Sequence, residues 1–207
     1  MSRRAGFERL LAKRAVDTAT PASEATLPGH AAATAAVATA VFDVAGETSL
    51  RQVALDPGSW GAPLARVLGR SAWLHDLGKA TDQWQTMIRA PASTVLALRH
   101  EVVSCWAFVS ERGPARWMLE GCDELERAAV LAAVLGHHLQ VGSLEDLRPR
   151  AGSGQIRVRV LASHSDFAEL LGRAAEHLGL KAERAAASGC SASWRAPVSP
   201  AAARPRS

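Results

Sequence analysis

Cysteine is scarce in this chain of 207 residues: Cys105, Cys122 and Cys190 are an odd number, spaced for neither a disulfide framework nor a zinc ribbon. The expectation is buried or free thiols. No uninterrupted apolar run approaches the roughly 20 residues that cross a bilayer, and the opening MSRRAGFERL lacks the long apolar stretch of a secretory signal. Those two absences predict a cytoplasmic protein with no membrane partner. Internal repeats are missing too. So is a phosphate-cradling GxxxxGK followed by Ser or Thr, because Gly78-Lys79 is followed by Ala80 and lacks the upstream glycine.

An excess of charge is also missing from the body of the chain. The net charge of +4 and pI near 9.5 arise in the tail, where Lys181, Arg184, Arg195, Arg204 and Arg206 face Glu183 alone. Residues 1–180 carry equal numbers of basic and acidic side chains, so bulk electrostatics gives no support for a nucleic-acid ligand.

What is present is 48% hydrophobic and 21% charged residues, the composition of one globular domain with a real core. The patterning is helical. Residues 2–15 fit a short amphipathic helix, and Pro28-Gly29 precede an alanine-rich helix running to about Val44. The segment GETSLRQVALDPGSWGAP reads as a loop. Leu64, Val67, Leu68 and Ser71 then lead at helical spacing to His75-Asp76, Gly78 breaks the helix, and Thr81 is the N-cap expected of a new turn. Further helices are expected from about Val95 to Val109, from Asp123 to Leu135 and from Asp166 to Leu178, with one short strand at 155–161. The expected organisation is an N-terminal segment 1–24, an all-α domain 25–180 with at most one short strand, and a disordered basic, proline- and alanine-rich tail 181–207.

Five of the seven histidines fall where helices begin or end. His30 opens the alanine-rich helix, His75 stands beside Asp76, His100 is flanked by Arg99 and Glu101, and His137-His138 follow an apolar helix. One histidine on an apolar helix is more often a packed side chain than a ligand. The joint pattern points to a metal site, since neutral imidazole suits transition metals and a carboxylate can give one oxygen to each of two ions. Asp76 is the candidate bridge. Two ions roughly 3.5–4 Å apart can activate water and clamp the oxygens of an in-line displacement at phosphorus, so phosphoester hydrolysis is the chemistry this set suits. Lys79 can bring an ammonium to a substrate phosphate or leaving oxygen, with a solvated surface lysine as the alternative. His164 and His177 fall outside the pattern. Trp73 and Trp106 are expected in the core, while Trp60 and Trp84 are candidates for substrate contact.

HDLGKAT followed by WQ, then LRHE, then LGHH resembles the HD-superfamily nuclease domain of type I CRISPR interference systems, the domain fused to or paired with a DNA helicase. The resemblance covers about residues 25–180. It implies an α-helical HD fold that cuts single-stranded DNA with two divalent ions. It further implies that His30, His75 and Asp76 hold one ion while Asp76, His100, His137 and His138 hold the other. Manganese, nickel, cobalt, iron and magnesium are all open as the metal. With no phosphate-cradling loop of its own, the chain would depend on a separate helicase and a crRNA-guided surveillance complex.

One feature of such domains has no equivalent in this sequence: a distal aspartate on a late helix that closes the first metal site. Asp166 is the only acidic residue near a helix start after the double histidine, in a different context, so the first site is expected to lack a carboxylate. Two alternatives follow: an HD phosphohydrolase acting on nucleotides, and a truncated, catalytically impaired HD domain with a binding role.

Overall fold

A computed structural model describes residues 7–15, 17–90, 98–138, 156–181 and 193–196. Six helices dominate: α1 (Leu27–Gln52), α2 (Pro57–Leu74), α3 (Asp82–Arg89), α4 (His100–Val109), α5 (Glu124–Gly136) and α6 (Ser165–His177). The expected mostly helical architecture is the one observed. α1 packs on α2 and α6, α2 also packs on α5, and α4 lies against α5 and a 3-10 turn at Leu77–Lys79. Their shared core contains Leu10, Leu27, Leu74, Leu77, Phe108, Met118, Phe167 and Leu170.

Short polar side chains set where the helices start. Thr26 accepts from the Gly29 N–H, Asp56 from Ser59 and Thr81 from Trp84, while Asp123 and Glu126 form a reciprocal capping box. Thr81 is the cap that the sequence predicts.

Several expectations are corrected. α1 does not stop near Val44, and residues 57–63 are helix rather than loop. Gly46 makes room instead of breaking α1, since a Cβ there would stand 2.6 Å from the Phe42 ring. Pro57 follows the Asp56 cap at the first helical position, where its missing N–H costs nothing.

Residues 7–15 form bends and one isolated bridge, Leu11 to Thr26, and no helix. The Leu27 N–H donates to the Leu10 carbonyl at 2.7 Å and the Ala12 N–H to the Ala25 carbonyl at 2.9 Å. Residues 2–6 of the expected helix lie outside the described residues. α4 begins at His100, later than the expected Val95, and 95–97 also lie outside them.

The expected strand runs Ile156–Arg159 as β1, and a second strand that the sequence did not predict, β2 (Ser193–Ala196), pairs with it antiparallel. A strand needs a neighbour to satisfy its backbone groups, and here four residues of the tail supply it. The Leu161 N–H continues β1 by donating to the Ala80 carbonyl at 2.8 Å, which ties the ribbon to the turn that follows Asp76.

Among the described residues, α1 alone is long and apolar enough by composition to cross a membrane, with mean hydropathy 1.2 over its most apolar window. Alanine produces that value, and the helix is packed on α2 and α6 with His30 in its first turn.

Candidate metal centre

Four helix ends converge on one point. His30 lies in the first turn of α1, His75 at the C-cap of α2 with Asp76 next to it, His100 at the first position of α4, and His137 at the C-cap of α5 with His138 following. Helix ends free side chains from the cylinder packing that would otherwise hold them against neighbouring turns, so short loops can aim them inward.

The two oxygens of Asp76 face different partners. Oδ2 is 3.1 Å from His30 Nε2 and 3.2 Å from His75 Nε2, while Oδ1 is 3.2 Å from His100 Nε2 and 3.6 Å from His137 Nε2. His138 Nε2 lies 3.2 Å from His100 Nε2. Two groups result, each with ligand atoms within 4.8 Å of one another: His30, His75 and Asp76, and Asp76, His100, His137 and His138.

Outer contacts turn the rings. His75 Nδ1 is 2.9 Å from the Ala72 carbonyl and His137 Nδ1 is 2.7 Å from the Val134 carbonyl. A carbonyl only accepts, so each Nδ1 carries the proton and each neutral ring presents a bare Nε2 toward Asp76. His100 Nδ1 is 3.3 Å from Glu101 Oε2, and Arg99 holds Glu101 in turn. The sequence marked Glu101 only as a flank of His100; its buried contact with the ring is the signal it carried.

Asp76 is 2% exposed. Burial opposes its charge, but the contacts from His100, His137, His30 and His75 outweigh that cost and hold the carboxyl well below the usual range. Burial lowers His100 and His138, whereas His137 is raised because its contact with Asp76 overcomes burial.

The donor set fits divalent cations. His137 Nε2 and Asp76 Oδ1 are buried without any hydrogen-bond partner, which is costly unless something else fills the gap. Lys79 Nζ, 2.6 Å from Asp76 Oδ2, already places one positive charge there.

Comparison with known proteins agrees with this geometry. The family described as "Cas3, HD domain" matches residues 12–203. This chain belongs to the Cas3 HD domain family. A protein of Myxococcus xanthus (strain DK1622) named as a CRISPR-associated nuclease/helicase Cas3 is 33% identical over 176 residues, which is 85% of this chain and 23% of that protein. The chain thus spans less than a quarter of the length of that relative. No solved structure matches it.

Within this Cas3 HD domain, Lys79 is buried, not a solvated surface lysine, and its ammonium lies 4.9 Å from the centre of the Trp84 ring. Trp84 also meets His100 edge-on at 4.9 Å between ring centres, so it borders the centre. Trp60 does not. It is near the start of α2, fifteen residues before His75 and so about 22 Å away along the axis. Trp73 is buried and Trp106 packs against the core, as expected.

His164 caps α6 and donates from Nε2 to the Phe7 carbonyl at 2.8 Å, and the His177 ring is tilted against Trp73 at 5.9 Å between centres. Neither belongs to either metal group among the described residues. Asp166 is also outside both groups. It accepts from the Leu10 N–H at 2.6 Å and from Arg9 Nε at 3.0 Å, so it anchors the N-terminal segment.

Proposed function

We propose that this Cas3 HD domain is a metal-dependent nuclease of CRISPR defence that hydrolyses phosphodiesters of single-stranded DNA in the cytoplasm. The observation that carries the reading is the division of Asp76, one oxygen toward His30 and His75 and the other toward His100 and His137. His30, His75 and Asp76 would hold one divalent ion, and Asp76, His100, His137 and His138 a second. Bound there, the ions supply Lewis acidity for an in-line displacement at phosphorus. Manganese, nickel, cobalt, iron and magnesium all remain open, because imidazole-rich sites select by availability as much as by affinity.

The chain's own residues prepare that chemistry. His75 and His137 donate from Nδ1 to carbonyls and so hold Nε2 aimed at Asp76. Asp76 stays ionised. Lys79 brings a buried ammonium to its edge, where it can turn to a substrate phosphate or to the leaving oxygen. Trp84 walls the same side with an aromatic surface. The name of the relative, nuclease/helicase, supports a helicase acting together with this domain, and the proposal adds a crRNA-guided surveillance complex that exposes the strand.

The decisive experiment is cleavage of circular single-stranded DNA by the purified chain with manganese or nickel, alongside Asp76→Ala. Cleavage by the parent that is lost in the variant supports the reading. Cleavage that survives in Asp76→Ala refutes the role of Asp76. A second reading, an impaired domain, is favoured by one observation: the His30, His75 and Asp76 group contains no second carboxylate among the described residues. Metal uptake without cleavage would select it.

A further inference from the structure

Between the turn that carries Asp76 and α4 lies the hydroxyl of Ser104. Ser104 is completely buried. Its Oγ donates to the His75 carbonyl at 2.9 Å and accepts from the Gly78 N–H at 2.8 Å. Those two backbone groups flank Asp76, and helix geometry does not satisfy either of them. α2 has ended at His75, and the following Lys79 N–H goes to the Asp76 carbonyl instead. The hydroxyl is their described partner.

Gly78 makes the contact possible. A Cβ on it would stand 2.0 Å from the His100 carbonyl oxygen and 2.8 Å from the Ser104 nitrogen, so the first turn of α4 rests directly on this glycine. The same glycine that the sequence marks as a helix breaker is required for close approach. His100 precedes Ser104 by four residues, one helical turn, and shares its face.

We propose that Ser104 is a positioning residue of the metal centre. By bonding both ends of the turn His75–Gly78, it fixes Asp76 relative to His100, and so sets the separation between the two ligand groups. Serine suits the place because its hydroxyl can donate and accept at once from a short side chain. Alanine would leave a buried carbonyl and a buried N–H without partners, and the turn would be free to shift against α4. A displacement of a fraction of an ångström matters here, because metal ligands must be held to about 0.5 Å.

This inference rests on the metal-centre reading, and the test separates the two. Manganese binding is measured by calorimetry on the full chain for the parent, Ser104→Ala and Leu170→Val, with thermal melting of each. Leu170 is fully buried on α6, outside the centre, so its variant reports what lost stability alone does. Ser104→Ala is expected to weaken manganese binding about 10–100-fold, the effect typical of outer-shell partners, while Leu170→Val melts lower with parental affinity.

Parental affinity in Ser104→Ala, or equal weakening in Leu170→Val, overturns the inference. A parent chain that takes up no manganese overturns the metal-centre reading instead. If Ser104→Ala does not fold, Ser104→Cys is used, because it fills the same space with weaker hydrogen bonds. An intermediate affinity supports the role, and parental affinity refutes it.

Discussion

His137 Nε2 and Asp76 Oδ1 stand 3.6 Å apart, both buried, and neither makes a hydrogen bond. Since His137 Nδ1 donates to Val134, the neutral ring turns a lone pair toward a carboxylate lone pair. Two such groups repel unless a cation lies between them. Without metal, a proton is the available cation, and His137 is accordingly raised: burial opposes its charge, but the contact with Asp76 prevails.

Proton and metal therefore compete for one place. His100 and His138 are lowered and bind as neutral rings, and Asp76 is already ionised. Metal uptake should displace the proton of His137, while His100 and His138 release none. Because a raised histidine stays protonated to higher pH, affinity should strengthen as pH rises through its raised value. Calorimetry in buffers of different ionisation enthalpy counts the protons. A pH-independent affinity with no release would refute the competition.

Removing the bridge should have a larger effect than removing any one imidazole. Asp76→Ala leaves both groups without a carboxylate, so bound manganese, counted by elemental analysis after desalting, should fall from two ions to none. Ligand at 100 times its dissociation constant stabilises a fold by about 2.7 kcal/mol. The parent should therefore melt higher with manganese than with chelator, and Asp76→Ala should show no such rise. A manganese-dependent rise persisting in the variant would argue against the bridge.

We propose that Lys79 acts on substrate without holding metal. Lys79→Ala removes the ammonium 2.6 Å from Asp76 Oδ2 and should leave both ions bound. Loss of a charged group that stabilises a developing charge costs on the order of 100- to 1000-fold in kcat. Single-turnover cleavage of a defined oligonucleotide, with metal content measured on the same sample, separates the two effects. Loss of metal in Lys79→Ala would place the lysine in the ligand framework instead.

The members of the centre were legible in the sequence because helix ends announce themselves. A capping threonine or an apolar run that stops at a histidine locates the side chain along the chain, and six such positions do converge here. The clasp was not legible. Ser104 looks like any small residue on a buried helix face, and only the approach of α4 onto Gly78 gives its hydroxyl two partners. The N-terminal segment was misread for a related reason. Arg9, Leu10 and Leu11 satisfy helical periodicity, but Asp166 and Gln85 capture the Leu10 and Leu11 N–H groups from 74 or more residues away. Long-range side-chain acceptors of this kind leave no local pattern. The loop expected at 46–63 failed in the opposite sense, because Asp56 caps a helix start there and α2 accommodates both Pro57 and Pro63.

Asp166 offers the sharpest distinction between anchoring and ligation. It is 3% exposed, and its carboxylate takes the Leu10 N–H and the Arg9 guanidinium, the latter half-exposed. Truncation to alanine would strand a buried N–H that now bonds a charged acceptor, at a cost of about 1.5–3 kcal/mol. The segment 9–12 would loosen with it, because Leu10 is core and its carbonyl receives the Leu27 N–H. Asp166→Ala should therefore melt markedly lower while binding the parental number of manganese ions at a temperature where it remains folded. The opposite result, unchanged melting with one ion lost, would make Asp166 the missing carboxylate of the first site and require the N-terminal segment to move aside when metal binds.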